Sequence, residues 1–151
     1  MTDQLSSELD ALADILDQQS SRLHNLRFRL TELRLLLLHG DDTFVASAAD
    51  DLATAANRAA ESAILRSASM QRVAELLGLD RASGLDAIAK AAPQPYALIL
   101  EHHVDAARTA VSQLQVEGTS VAATVSDTLR AGRDLLDLPA EPADGLLHGR
   151  V

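Results

Sequence analysis

The hydrophobic pattern from Leu5 to Leu37 repeats alternately every four and three residues. The series reads Leu5, Leu9, Leu12, Leu16, Gln19, Leu23, Leu26, Leu30, Leu33 and Leu37, and nine of its ten members are leucine. A half-buried strand alternates every second residue, whereas a 4-3 repeat lays one apolar stripe along an α-helix. Such a helix is about 50 Å long at ~1.5 Å rise per residue. It cannot hide its stripe against itself, so the rest of the chain or a partner must cover it. Between the leucines, Glu8, Asp10, Asp14 and Asp17 come first and Arg22, Arg27, Arg29 and Arg34 follow. That order complements the helix dipole and suits an antiparallel neighbour of opposite polarity. Thr2, Asp3 and Ser6 are the candidate caps. Gln19 breaks the seam, either as a buried polar residue that sets register or as a solvated gap. Gly40, after His39, is the expected left-handed C′ residue.

Asp41, Asp42 and Thr43 are placed to cap a second helix, whose series is Val45, Ala49, Leu52, Ala56, Ala59, Ala63, Arg66, Met70, Val73 and Leu77. So short a turn makes the two helices an antiparallel hairpin. The central alanines allow close approach to the leucines, and Arg66 is placed to reach an acid of the first helix. Gly78 ends the second helix. A brief element follows over 80–92, with Ser83 as a candidate cap and Leu85, Ile88 and Ala92 on one side, closed by Pro93 and Pro95. Pro95 suits the first position of a last long helix over 95–136. Its series is Leu100, Val104, Ala107, Val111, Leu114, Gly118, Val121, Val125, Thr128, Gly132 and Leu135. From Val116 to Thr128 it is dense in β-branched residues and serine, which cost a few tenths of a kcal/mol each against alanine, with a glycine at roughly 1. That half is a helix only where its valines are packed. Residues 139–151 carry two prolines, two glycines and no period and read as a disordered tail. The expected fold is all-α: a long antiparallel hairpin, a short helix and a long third helix in a coiled-coil-like bundle over 1–138.

Composition narrows the function classes. The 151 residues are 47% hydrophobic but 2% aromatic, which gives a core of Leu, Ala and Val and little for an aromatic ligand pocket. No cysteine is present, which removes disulfides, thiolate nucleophiles and cysteine-based metal sites and suits a cytoplasmic setting. The net charge of −9 argues against nucleic acid and against an anionic membrane surface. Met1–Asp10 lacks the basic start and apolar run of a signal peptide, and the apolar run at Leu35–Leu38 is too short to insert into a bilayer.

Candidate chemistry is sparse. His102 and His103 with Glu101 and Asp105 form one metal-like cluster, but His102 and Asp105 share a face while His103 points about 100° away, and two ligands do not make a site. Solvated histidines are the expectation there, with no metal and no cofactor. No GxSxG elbow or phosphate loop occurs. Arg22 and Arg29 share a face as in a helical chorismate mutase, yet the second basic element such a site requires is missing. No enzyme is expected.

The layout resembles the FlgN-type flagellar export chaperones, small acidic helical proteins of the cytosol. The resemblance rests on the leucine-rich first helix, Gly40-Asp41 at the first turn, Leu77-Gly78-Leu79 at the second, and the short element from Gly84-Leu85 to Pro93-Gln94-Pro95 before the last helix. It covers about Leu5–Leu136. Family members often carry two asparagines, three apart, midway along the last helix, where this chain has Glu117 and Ser120. What the resemblance implies is a chaperone that binds the C-terminal helical segments of hook–filament junction proteins of the FlgK and FlgL types. It would deliver them to the flagellar export gate. The weak half of the last helix is the expected client face, through Val116, Val121, Val125, Leu129, Leu135 and Leu136, with ordinary core as the competing role for the same residues. A homodimer is an expected state when no client is bound, and a coiled-coil module dimerising through the Leu5–Leu37 seam is the alternative function.

Overall fold

The computed structural model describes residues 2–40 and 42–136, with backbone alone at 128 and 131–136. The chain is all-α. Helix α1 spans Asp3–Leu38, α2 Val45–Leu76, α3 Leu85–Ala91 and α4 Tyr96–Leu136. The expected domain limit at 138 and the tail 139–151 lie outside the described residues.

The helix ends follow local chemistry. Thr2 caps α1, its Oγ1 accepting from the Leu5 amide at 3.2 Å. Gly40 and Gly78 take φ of +66° and +74°, the left-handed conformation that relieves a helix C-terminus. At Gly78 the closure is complete, with Gly78 N–H donating to the Glu75 carbonyl and Leu79 N–H to the Ala74 carbonyl at 2.8 Å. Helix α2 begins later than expected. Residues 42–44 form a turn and Phe44 stands at the N-cap, where it has no side chain able to accept. Gly84 rather than Ser83 precedes α3, because the Asp80 carboxylate and carbonyl hold the 80–83 turn through the amides of Ala82 and Ser83. Pro95 sits one position before α4, after a cis Gln94–Pro95 peptide.

Packing follows the edges of a square. Helix α1 packs on α2 and on α4, and α3 packs on α2 and on α4. Across the diagonals, no Cα of α2 comes within 8 Å of α4, nor any of α3 within 8 Å of α1. This is the arrangement of a four-helix bundle with α1 and α3 at opposite corners. Cross-links fix direction. Glu8–Arg72 and Arg29–Asp51 pair α1 with α2 antiparallel. The Tyr96 hydroxyl, donating to Asp10 at 2.8 Å, and Arg34–Glu117 at 3.3 Å run α4 parallel to α1.

The core lies at two levels. The larger joins Leu5, Leu9, Leu12 and Leu16 to Val73 and Ala74 of α2, Ile88 and Ala89 of α3, and Ala97 and Leu100 of α4. The smaller joins Leu33, Ala48 and Val121, with Leu30, Leu36, Leu37, Val45, Leu52 and Val125 against them. The α2 seam differs from the expected series. Ala48, Ala55, Ser62 and Ser69 are buried, whereas Ala49 and Ala56 are exposed. Half of the inward column is therefore displaced by one residue, and small side chains every seventh position set the close approach of α2 to α1.

A Leu12→Ala variant should lose about 2–5 kcal/mol of unfolding free energy, because Leu12 is fully enclosed and leaves a cavity. Leu26→Ala, at a half-buried position of the same seam, should lose distinctly less. Urea unfolding of both reads the difference, and equal losses would contradict the two-level core.

Candidate functional site

The four corners of the bundle are unequal. Helix α4 has 41 residues and α1 has 36, but α3 has only seven. At ~1.5 Å per residue α3 fills its corner for about 10 Å, and beyond it the groove between α2 and α4 stays open over α1. The effect is visible along single columns. On α4, Ala97 is 8% exposed, Val104 9% and Val111 49%, one heptad apart on one stripe. Cover stops where α3 begins, at Asp86 beside Arg108 (3.8 Å). On α2, Met70 and Leu77 pack against the larger core, whereas Ala49 and Ala56 of the same column are exposed. On α1, Leu5, Leu9, Leu12 and Leu16 are buried, while Leu23, Leu26, Leu30 and Leu37 are only half-buried.

The open corner is thus an apolar trough. Its floor is the upper leucine seam of α1, one wall is the alanine column of α2, and the other carries Val111 of α4. Helix α4 also outruns the hairpin. The Arg34–Glu117 pair puts Leu38, the last residue of α1, level with Val121, so α4 extends for about four further turns, roughly 22 Å.

The residues expected to form a client face separate into groups. Val121 is 9% exposed and belongs to the smaller core, and Val125 packs against that core. Val116 and Leu129 are exposed, at 64% and 43%. Leu135 and Leu136 lie on the projecting end of α4, where their side chains fall outside the described residues. Sequence reasoning missed Ala49, Ala56 and Val111 as surface, since all three stand in the apolar series and read as core.

Both interruptions of the seams meet each other. Arg66 Nη1 donates to Gln19 Oε1 at 3.4 Å, so Gln19, which is buried, is no solvated gap, and Arg66 reaches an amide rather than an acid. Arg66 Nε and Ser69 Oγ are buried without a hydrogen-bond partner. The weak half of α4 stays helical, with Thr119 and Thr124 hydroxyls donating to the carbonyls one turn back, at Gln115 and Ser120. Glu117 is held by Arg34.

His103 is not solvated. Its ring is 10% exposed and Nε2 lies 3.4 Å from Asp17, in a shallow cleft between α1 and α4 that includes Leu16, Leu23 and Ala107. Among the described residues no three His, Asp or Glu side chains gather to hold a metal. Arg29 is engaged by Glu32 and Asp51. Among the described residues no helix is long and apolar enough to cross a membrane.

Two expectations follow. A β-carbon at Gly118 meets nothing within 4 Å, so Gly118→Ala should raise stability by about 0.5–1 kcal/mol; a lower melting temperature would mean that this face is packed. Gln19→Leu alone should lose about 1–3 kcal/mol by stranding Arg66, whereas Gln19→Leu/Arg66→Leu should match or exceed the parent, since apolar replacement of both partners removes the desolvation cost. Thermal melts of both variants separate these outcomes. In comparisons with known proteins, no protein-family model, no curated protein and no solved structure matches this chain.

Proposed function

We propose that this chain is an export chaperone of the type the sequence resembles, which holds an amphipathic helix of a client protein in the open corner of its bundle. The observation that carries the reading is α3 itself. At one end of the molecule a short helix occupies the fourth corner and encloses the leucine seam; at the other end the same seam, the same alanine column and the same valine column lie uncovered. A client helix continuing the line of α3 completes the bundle, inserting large side chains at i, i+3, i+4 and i+7 against the small residues of α2. The trough between Val111 and Val125 accommodates about four turns, roughly 21 Å. The projecting end of α4, with Leu129, extends the same surface.

The client face is accordingly proposed as Leu23, Leu26 and Leu30 with Ala49, Ala56 and Val111, joined by Leu129 on the same stripe of α4; Val121 is core, and Val116, five residues from Val111, stands about 140° round the helix from the trough. The clients proposed are the C-terminal helical segments of hook–filament junction proteins, carried in the cytosol to the flagellar export gate. A shallow, alanine-walled trough buries modest area, which suits a carrier that must let its cargo go. The lower part of the seam, Leu5 to Leu16, is enclosed within the chain by α2, α3 and α4, so a dimer running the whole Leu5–Leu37 seam would have to displace the chain's own core, and the chaperone reading is favoured over a dimerisation module.

The test is titration calorimetry with the C-terminal segment of a junction protein from the same organism. A one-to-one complex is expected, and Val111→Glu should weaken it about tenfold or more (~1.4 kcal/mol or more) with the urea midpoint unchanged. Absence of binding to the parent, or full affinity in that variant, would sink the proposal.

A further inference from the structure

The back of the α1–α2 hairpin, facing away from the open corner, has its own pattern. Glu8 pairs with Arg72 at 3.1 Å and Arg29 with Asp51 at 3.5 Å, which sets an antiparallel register of facing positions every seventh residue. Between these two ion pairs the register brings Ile15 opposite Leu65 and Arg22 opposite Arg58. The second juxtaposition is unfavourable as it stands, because like charges facing across two helices repel. Neither arginine has an acidic partner among the described residues, and Glu61, one turn from Arg58, makes no ion pair with it. In a chain of net charge −9 these are two uncompensated guanidinium groups on one open face. Leu65 beside them is 52% exposed.

We infer that the Arg22–Arg58 rung with Leu65 is a second docking surface, which takes an acidic segment of a protein partner carrying two carboxylates about one helical turn apart beside a large apolar residue. Charge complementarity selects the occupant. Each guanidinium offers a fork of donors that matches a carboxylate, and the leucine, one heptad along α2 from Arg58, supplies an apolar contact at the edge of the patch, in the arginine-rich manner of protein interfaces. The rung lies on the outer face of the hairpin, where a small free anion would keep most of its water. A nucleic acid needs a run of basic residues, and this face offers two. This surface lies on the opposite side of the hairpin from the trough and does not depend on the chaperone reading.

The probe is a fluorescein-labelled helical peptide with two glutamates one turn apart next to a leucine, read by anisotropy against the full chain, with a twin in which both glutamates are lysine. The acidic peptide is expected to bind, more weakly at about 0.3 M than at about 0.05 M salt, while the lysine twin does not. Arg22→Glu and Arg58→Glu should each weaken it at least tenfold without lowering the melting temperature, and Val111→Glu should leave it unchanged. The inference fails if the parent does not bind, if the twin binds equally, or if the two arginine variants bind like the parent. Equal loss in Val111→Glu would place the peptide in the trough instead. Binding of a single-stranded RNA oligonucleotide that disappears in the arginine variants would likewise overturn it.

Discussion

One helix face shared by two neighbours governs this molecule. The leucine seam of α1 is too wide for a single partner, and α2 and α4 divide it between them with no Cα of one within 8 Å of the other. That division requires a square cross-section, because two helices packed side by side on a third close it off from all directions only when they also meet. Here they stand apart, and a fourth element has to cover the seam between them. Helix α3 does so for two turns. Below its end, burial is complete; above it, the seam is roofed only where Leu33 meets Ala48 and Val121.

Side-chain size decides how the hairpin itself closes. Alanine and serine at every seventh position of α2 let its backbone approach α1 closely, so little apolar area is buried per residue in the middle of the hairpin. Polar atoms fill the gap there. The Gln19–Arg66 contact lies at this level, between the two parts of the core. Buried polar groups of this kind weaken a core but penalise a shift of register, since any slip leaves both unsatisfied. The ion pairs on the hairpin's rim add direction more than stability, because most of their atoms are in water.

The corner, the projecting end of α4 and the back of the hairpin are three surfaces of different character on one rod-like frame. The trough is apolar and walled by small residues. The end of α4 has no hairpin beside it, so its helicity has least tertiary support. The back presents arginine and leucine. A frame of this kind presents extended helix faces.

The sequence by itself determined the four helices, their order, the antiparallel hairpin of α1 and α2 and the C-terminal ends of that pair. The 4-3 period, Gly40, Gly78 and the proline pair each act locally, through backbone geometry that needs no tertiary partner. It also marked the seam of α1, since leucine at nine of ten positions permits only one inward face. Tertiary structure alone decided which apolar positions are covered. Ala48 and Ala49 are chemically identical, so no periodicity can tell which faces α1; Ala97 and Val111 share a stripe, and only the length of α3 makes one core and the other surface. Val121 and Val116 lie in the same weak segment and differ only in whether α1 lies beside them. Coverage depends on what the other three helices leave unfilled, and that is a property of their relative lengths and placement in space, which a pattern along one chain segment does not encode.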